Sequence, residues 1–122
     1  MSNRVVHFEI PCDDPDKTME FFKEVFGWGF QSYGQEQYWL ATTGDDKSPG
    51  INGAIMKKRD PKQPLVNTLS VTNIDESIQK IEKAGGKIVM PKMAVPSMGW
   101  VVYFTDPDGN IHGAWQDDKD AK

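Results

Sequence analysis

Apolar and polar residues alternate along Val5-Val6-His7-Phe8-Glu9-Ile10-Pro11-Cys12, with Phe8 and Ile10 out of step with His7 and Glu9, the pattern of a strand buried on one face. The period then changes. Asp14 predicts a helix N-cap with Pro15 at the first helical position, Met19, Phe22, Val25 and Phe26 recur at helical spacing, and Gly27 ends the element. The same order returns in the second half: Val66-Asn67-Thr68-Leu69-Ser70-Val71 reads as a strand, Asn73 as a cap, and Ile78, Ile81 and Ala84 as an apolar stripe running up to Gly85-Gly86. His7 answers to Val66 and Met19 to Ile78 at a spacing of 59, while Ile51-Asn52-Gly53-Ala54-Ile55 matches Ile111-His112-Gly113-Ala114-Trp115 at 60. A one-residue slip in a loop reconciles the two.

Between helix and closing strand each half has room for two further strands, at about residues 29–34 and 37–42 and again at 87–91 and 100–105. Asp106-Pro107-Asp108-Gly109 predicts a turn into the last strand. Residues 57–64, charged and carrying Pro61 and Pro64, read as a linker, and residues 117–122 as a frayed end. The chain is therefore expected to be one α+β domain, residues 1–122, of two tandem β-α-β-β-β modules at about 4–58 and 65–118. Each module alone buries its helix on one face of a small sheet, so two side by side would form a curved mixed sheet with helices outside and a concave cleft within.

Strand parity predicts which side chains face that cleft. With Phe8, Ile10, Leu69 and Val71 under the helices, His7, Glu9, Val66, Thr68 and Ser70 turn inward. The repeat adds Ile51, Gly53 and Ile55, then Ile111, Gly113 and Trp115, with Val101 and Tyr103 joining if Val102 and Phe104 pack beneath a helix. The expected ligand-binding set is His7, Glu9, Trp39, Ile55, Thr68, Ser70, Trp100, Tyr103 and Trp115, mainly apolar and aromatic with a few polar groups. The alternative is that His7 and Glu9 pair with each other or line a solvated face.

Composition narrows the partners. A net charge of -4 and a pI near 5.1 leave no basic footprint for nucleic acid and mildly favour a cationic ligand. No apolar run reaches the length of a membrane span, and the N-terminal residues lack a signal-peptide core, so a cytoplasmic protein is expected. The single cysteine, Cys12, excludes an intramolecular disulfide and reads as a small buried hydrophobe rather than a catalytic thiol. No glycine-rich phosphate loop or Gly-x-Ser-x-Gly elbow is present, and Lys57-Lys58-Arg59 reads as part of a solvated linker.

The repeat of about 60 residues, the strand opening with His7, the helix after it and the string Phe104-Thr105-Asp106-Pro107-Asp108-Gly109-Asn110 together resemble the vicinal-oxygen-chelate superfamily of glyoxalases, bleomycin-resistance proteins and ring-cleaving dioxygenases along nearly the whole chain. What the resemblance implies for metal is negative. Metal-dependent members, such as lactoylglutathione lyase, place ligands at points that fall here on His7, Gly53, Val66 and Gly113, and only His7 can coordinate. His112, the second histidine, adjoins Gly113 and should point to the other face. No cofactor is therefore expected, with a divalent metal as the alternative.

Three functions follow from the resemblance. The first is a metal-free domain that holds a small molecule, as bleomycin-binding members do. The second is a lyase, isomerase or dioxygenase-related enzyme, related to lactoylglutathione lyase, with Glu9 or His7 as proton-transfer base. The third is an accessory subunit, since members of the superfamily often form homodimers.

Overall fold

The computed structural model describes residues 3–34 and 36–122. The elements run β1 (Val5–Cys12), α1 (Pro15–Phe26), β2 (Gly29–Ser32), β3 (Tyr38–Thr42), β4 (Gly53–Lys57), β5 (Val66–Ser70), α2 (Ile74–Lys83), β6 (Lys87–Val95), β7 (Gly99–Thr105) and β8 (Ile111–Asp117). This is the β-α-β-β-β order, twice. Val6–Leu65 forms one compact unit and Val66–Lys122, with the described residues before Val6, the other. No helix among the described residues is long and apolar enough to cross a membrane.

Helix α1 begins where the sequence places it. The Asp14 carboxylate accepts from the Lys17 amide at 3.2 Å, Pro15 occupies the first turn, and Gly27 closes the helix with a φ of 73° that a side chain would resist. Helix α2 uses the same device, the Asn73 side-chain oxygen accepting from Glu76 N at 3.1 Å.

In the first unit the strands run β2-β3-β4-β1, antiparallel except for the parallel β1–β4 pair. Its register departs from expectation. Glu9 stands opposite Ala54 and Ile10 opposite Ile55, so Gly53 and Ile55 share the face of Phe8 and Ile10, not that of His7 and Glu9. Phe8 packs on Trp28 at a ring separation of 5.6 Å, and Trp28 stacks on Phe22 of α1 at 4.4 Å, which identifies that face as the helix side. A Cβ on Gly53 would fall 2.5 Å from the Phe8 ring. The opposite face carries Glu9, Ala54 and Leu40 in register, with Tyr38 opposite Met56 and Pro11 beyond it.

In the second unit the order is β5-β8-β7-β6, with β5 and β8 parallel. Here the expected parity holds. Thr68, Gly113 and Tyr103 are in register on one face, as are Ser70, Trp115 and Val101. The other face supplies the core: Val102, Phe104 and Ala114 with Ile74 of α2, surrounded by Leu69, Val71, Ile78, Ile81, Ile88 and Trp100.

Residues 117–122 do not fray. Asp118 N donates to Met98 O at 2.9 Å, Ser97 N donates to Ala121 O at 2.9 Å, and Ala121 is only 3% exposed. The end is fastened by backbone groups of the turn between β6 and β7, a pairing that residue type alone does not encode. The 57–64 linker also begins late, since Lys57 is the last residue of β4.

Candidate functional site

The polar face of the first unit converges on one hydroxyl. His7 and Glu9, two residues apart on β1, project to the same side. Tyr38 reaches them from β3, across β4, where Ala54 opposite Glu9 is too short to obstruct the path. The Tyr38 hydroxyl lies 2.7 Å from Glu9 Oε2 and 3.0 Å from His7 Nε2, and all three side chains are partly buried.

Hydrogen-bond chemistry fixes the direction of this chain. An ionised carboxylate only accepts, so the single phenolic proton goes to Glu9, and Tyr38 Oη has only lone pairs to offer His7. His7 therefore donates through Nε2–H, and the neutral ring carries its lone pair on Nδ1. Burial pushes the imidazole below its ordinary value of 6.5, against a smaller upward pull from the Glu9 charge. The result is a neutral histidine, oriented by a tyrosine that is itself oriented by a carboxylate.

The sequence-predicted residues divide accordingly. His7 and Glu9 come together, but through Tyr38, to which nothing in the sequence points, since the short strand β3 carries no alternation that sets its face. Ile55 is fully buried and Trp39 stands opposite it, so both belong to the helix side of the first unit, which corrects their assignment to the ligand face. Trp100 is corrected in the same way: it packs against the α2 core, its indole N–H donates to Asp118 at 2.9 Å, and Lys92 sits 4.7 Å above its ring.

In the second unit Thr68 and Tyr103 close over Gly113, where a Cβ would come within 2.9 Å of Thr68 Oγ1 and 3.4 Å of the Tyr103 ring. Ser70 and Trp115 share that face, the Trp115 N–H donating to Asp117 at 2.7 Å. His112 lies opposite Phe104, on the α2 side as expected, and its Nε2 is 2.9 Å from Asp106. The amides of Asp108 and Asn110 add to that contact and, with His112 first in weight, hold the Asp106 carboxyl far below the usual range. The Asp-Pro-Asp-Gly-Asn string is thus a ligated turn. Cys12 is buried, with its sulfur 3.4 Å from the Met56 carbonyl, as a small core residue would be.

A metal ion of the kind the superfamily uses does not fit these residues. Among the described residues no three His, Cys, Asp or Glu side chains group to hold one. On the His7 face the β4 positions are Ala54 and Met56 rather than Gly53, and neither they nor Leu40 supply a hard donor. Beside the Tyr38 phenol, which donates to Glu9, this group offers one imidazole and one carboxylate, short of the three or four ligands of those types that such a site requires.

Comparison with known proteins agrees with this architecture. A Mycobacterium bovis protein, CFP32, which carries a provisional glyoxylase name, is 26% identical over 113 residues; the match covers 88% of this chain but 43% of that protein, so the chain spans less than half its length. A solved glyoxalase/bleomycin resistance protein/dioxygenase superfamily member from Vibrio splendidus superposes with a TM-score of 0.69 at 17% identity, over 95% of this chain and all of the other. Methylmalonyl-CoA epimerase from Mycobacterium tuberculosis gives a TM-score of 0.66 at 13% identity, over 93% of this chain and 87% of the epimerase. The family model for the Glyoxalase/Bleomycin resistance protein/Dioxygenase superfamily matches residues 4–111, and the chain belongs to that superfamily.

Proposed function

We propose that this chain binds a small organic molecule without a metal, on the face of the first unit where His7, Tyr38 and Glu9 meet. The observation that carries this reading is the hydrogen-bonded chain from Nε2–H through the phenol to the carboxylate. It holds a neutral imidazole with one acceptor nitrogen, Nδ1, in a fixed direction. Leu40, in register with Ala54 and Glu9 and more than a third exposed, adds apolar surface on the same face, the mixture of polar and apolar groups that small-molecule sites use. A ligand with an N–H or O–H group would donate to Nδ1 and bury its carbon skeleton against Leu40 of β3.

A second reading follows from the same chain. His7 Nδ1 can take a proton from a carbon next to a carbonyl, and the resulting imidazolium is then balanced by Glu9 through Tyr38. Methylmalonyl-CoA epimerase, similar in fold, is named for an epimerisation. Binding stands first because Leu40, Ala54 and Met56 offer no donor to a developing enolate oxygen.

Ligand-observed NMR with a library of carbonyl, amide and hydroxyl fragments tests both. Fragments that bind the native protein are expected to lose their signal with His7→Ala and with Tyr38→Phe; an unchanged set of binders in both variants overturns the site. For binders with an acidic C–H, deuterium uptake from D2O that vanishes in His7→Ala would favour the enzyme, and its absence would favour binding alone.

A further inference from the structure

Tyr38 has a second role, as one wall of a cavity of about 180 Å³ that opens beside the His7 face. Met56, opposite Tyr38 in register, is also a wall, and the rim carries Lys57, Lys58, Arg59 and Glu36. All of these residues belong to the first unit. The volume is below that of a whole drug-sized ligand site, about 300–1,000 Å³, and suits one end of a molecule.

The three cations are held by a fixed backbone. Lys57 N donates to Gln37 O at 3.1 Å, Lys58 N to Cys12 O at 2.9 Å, and Arg59 N to the Gln63 side chain at 2.8 Å. Their charges are only loosely answered. The Lys57 ammonium donates to the Asp13 backbone carbonyl, which is neutral; Lys58 is 3.8 Å from the Asp13 carboxylate, and Arg59 is 4.0 Å from Glu36, both beyond hydrogen-bond length. Of the residues that line the cavity, Lys57, Lys58 and Arg59 are positive and Glu36 is negative, with the Lys57 ammonium turned toward Asp13, in a chain whose overall charge is -4. This local sign is the reverse of what the net charge suggests for a ligand.

We propose that the cavity between Tyr38, Met56 and the Lys57-Lys58-Arg59 rim receives the anionic end, a carboxylate or phosphate group, of a small molecule whose other end meets His7. This rests on the reading of the His7 face as a ligand site and names the class of ligand. Lys58 and Arg59 exchange their long contacts to Asp13 and Glu36 for short charge-assisted bonds to the ligand oxygens. Met56, whose sulfur accepts from the Gln63 amide at 3.7 Å, and the Tyr38 ring then flank the carbon next to the anion.

The probes are inorganic phosphate, acetate and tetramethylammonium, each titrated at constant low ionic strength into ¹⁵N-labelled full chain. Phosphate or acetate is expected to shift the amides of Lys57, Lys58 and Arg59 saturably, the tighter of the two naming the group. The double variant Lys58→Gln/Arg59→Gln, altered only at the rim, should weaken that binding about tenfold or more, the loss of two charge-assisted contacts. Saturation by tetramethylammonium instead, equal anion binding by the double variant, or no saturable response to either anion overturns the proposal. Should the anion arm fail while fragment binding still depends on His7, the His7 site stands without this ligand class; the converse leaves an anion site and removes the His7 reading.

Discussion

Replacing Tyr38 by Phe removes one oxygen and keeps the ring, so its cost isolates the hydrogen-bonded chain. The bonds lost include those of 2.7 Å to Glu9 and 3.0 Å to His7. A bond to an ionised group contributes about 1.5–3 kcal/mol and a neutral one about 1 kcal/mol, before the orphaned partners recover water. Because Glu9 and His7 are only partly buried, water restores part of this, and a net loss of about 2 kcal/mol is expected. With a urea m-value of about 1.5 kcal/mol/M, the denaturation midpoint should fall by about 1.3 M. Urea unfolding near neutral pH measures it, with Tyr33→Phe as control, since Tyr33 is exposed and touches Tyr38 only edge-on with ring centroids 6.2 Å apart. That control should stay within about 0.5 kcal/mol. A Tyr38→Phe loss no larger than that of the control would refute the relay as a structural entity.

Three further outcomes follow. Gly53→Ala places a methyl 2.5 Å from the Phe8 ring and carbonyl oxygen and should cost about 1–3 kcal/mol, whereas Gly113→Ala meets chiefly the rotatable Thr68 hydroxyl at 2.9 Å and should cost less; the reverse order in urea midpoints would contradict the β1–β4 register. Asp106 is held below its ordinary 3.8, so the stability it contributes is present above that value and is lost as pH falls through the folded-state value; Asp106→Asn should flatten the decline in unfolding midpoint between about pH 5 and pH 2, and an unchanged slope would count against the turn. Incubation with zinc, nickel or ferrous iron followed by gel filtration and elemental analysis should leave well under one ion per chain, and one ion per chain lost on His7→Ala would overturn the donor count.

Much of the fold is legible in the sequence because its signals are local. Asp14, Pro15 and Gly27 bound α1 where capping chemistry says they should, and Asn73 does so for α2. Parity in the second unit was equally readable, since Val102 and Phe104 under α2 leave Val101 and Tyr103 on the far side. The first unit misled through a resemblance of letters. Ile-x-Gly-Ala recurs at a spacing of 60, but Gly113 stands opposite Thr68 while Gly53 falls on the Phe8 side, so the structural repeat stays odd throughout. A single-residue slip turns every side chain of a strand over. The slip carries Ile55 to the ligand face, while Trp39 is drawn there by its aromatic ring alone. The rim cations were dismissed for a different reason: a charged run beside prolines looks like linker until the fold sets it against Tyr38.

His7 is a neutral ring protonated on Nε2 and aimed by Tyr38, a state that long-range ¹H–¹⁵N spectra of the native protein read out atom by atom. Nε2 should be pyrrole-type and Nδ1 pyridine-type at neutral pH, with a titration midpoint below 6.5. Stability should then be full above 6.5 and fall as pH drops through the folded-state value, because the unfolded chain takes the proton first. A pyridine-type Nε2, or a midpoint above 6.5, would contradict it.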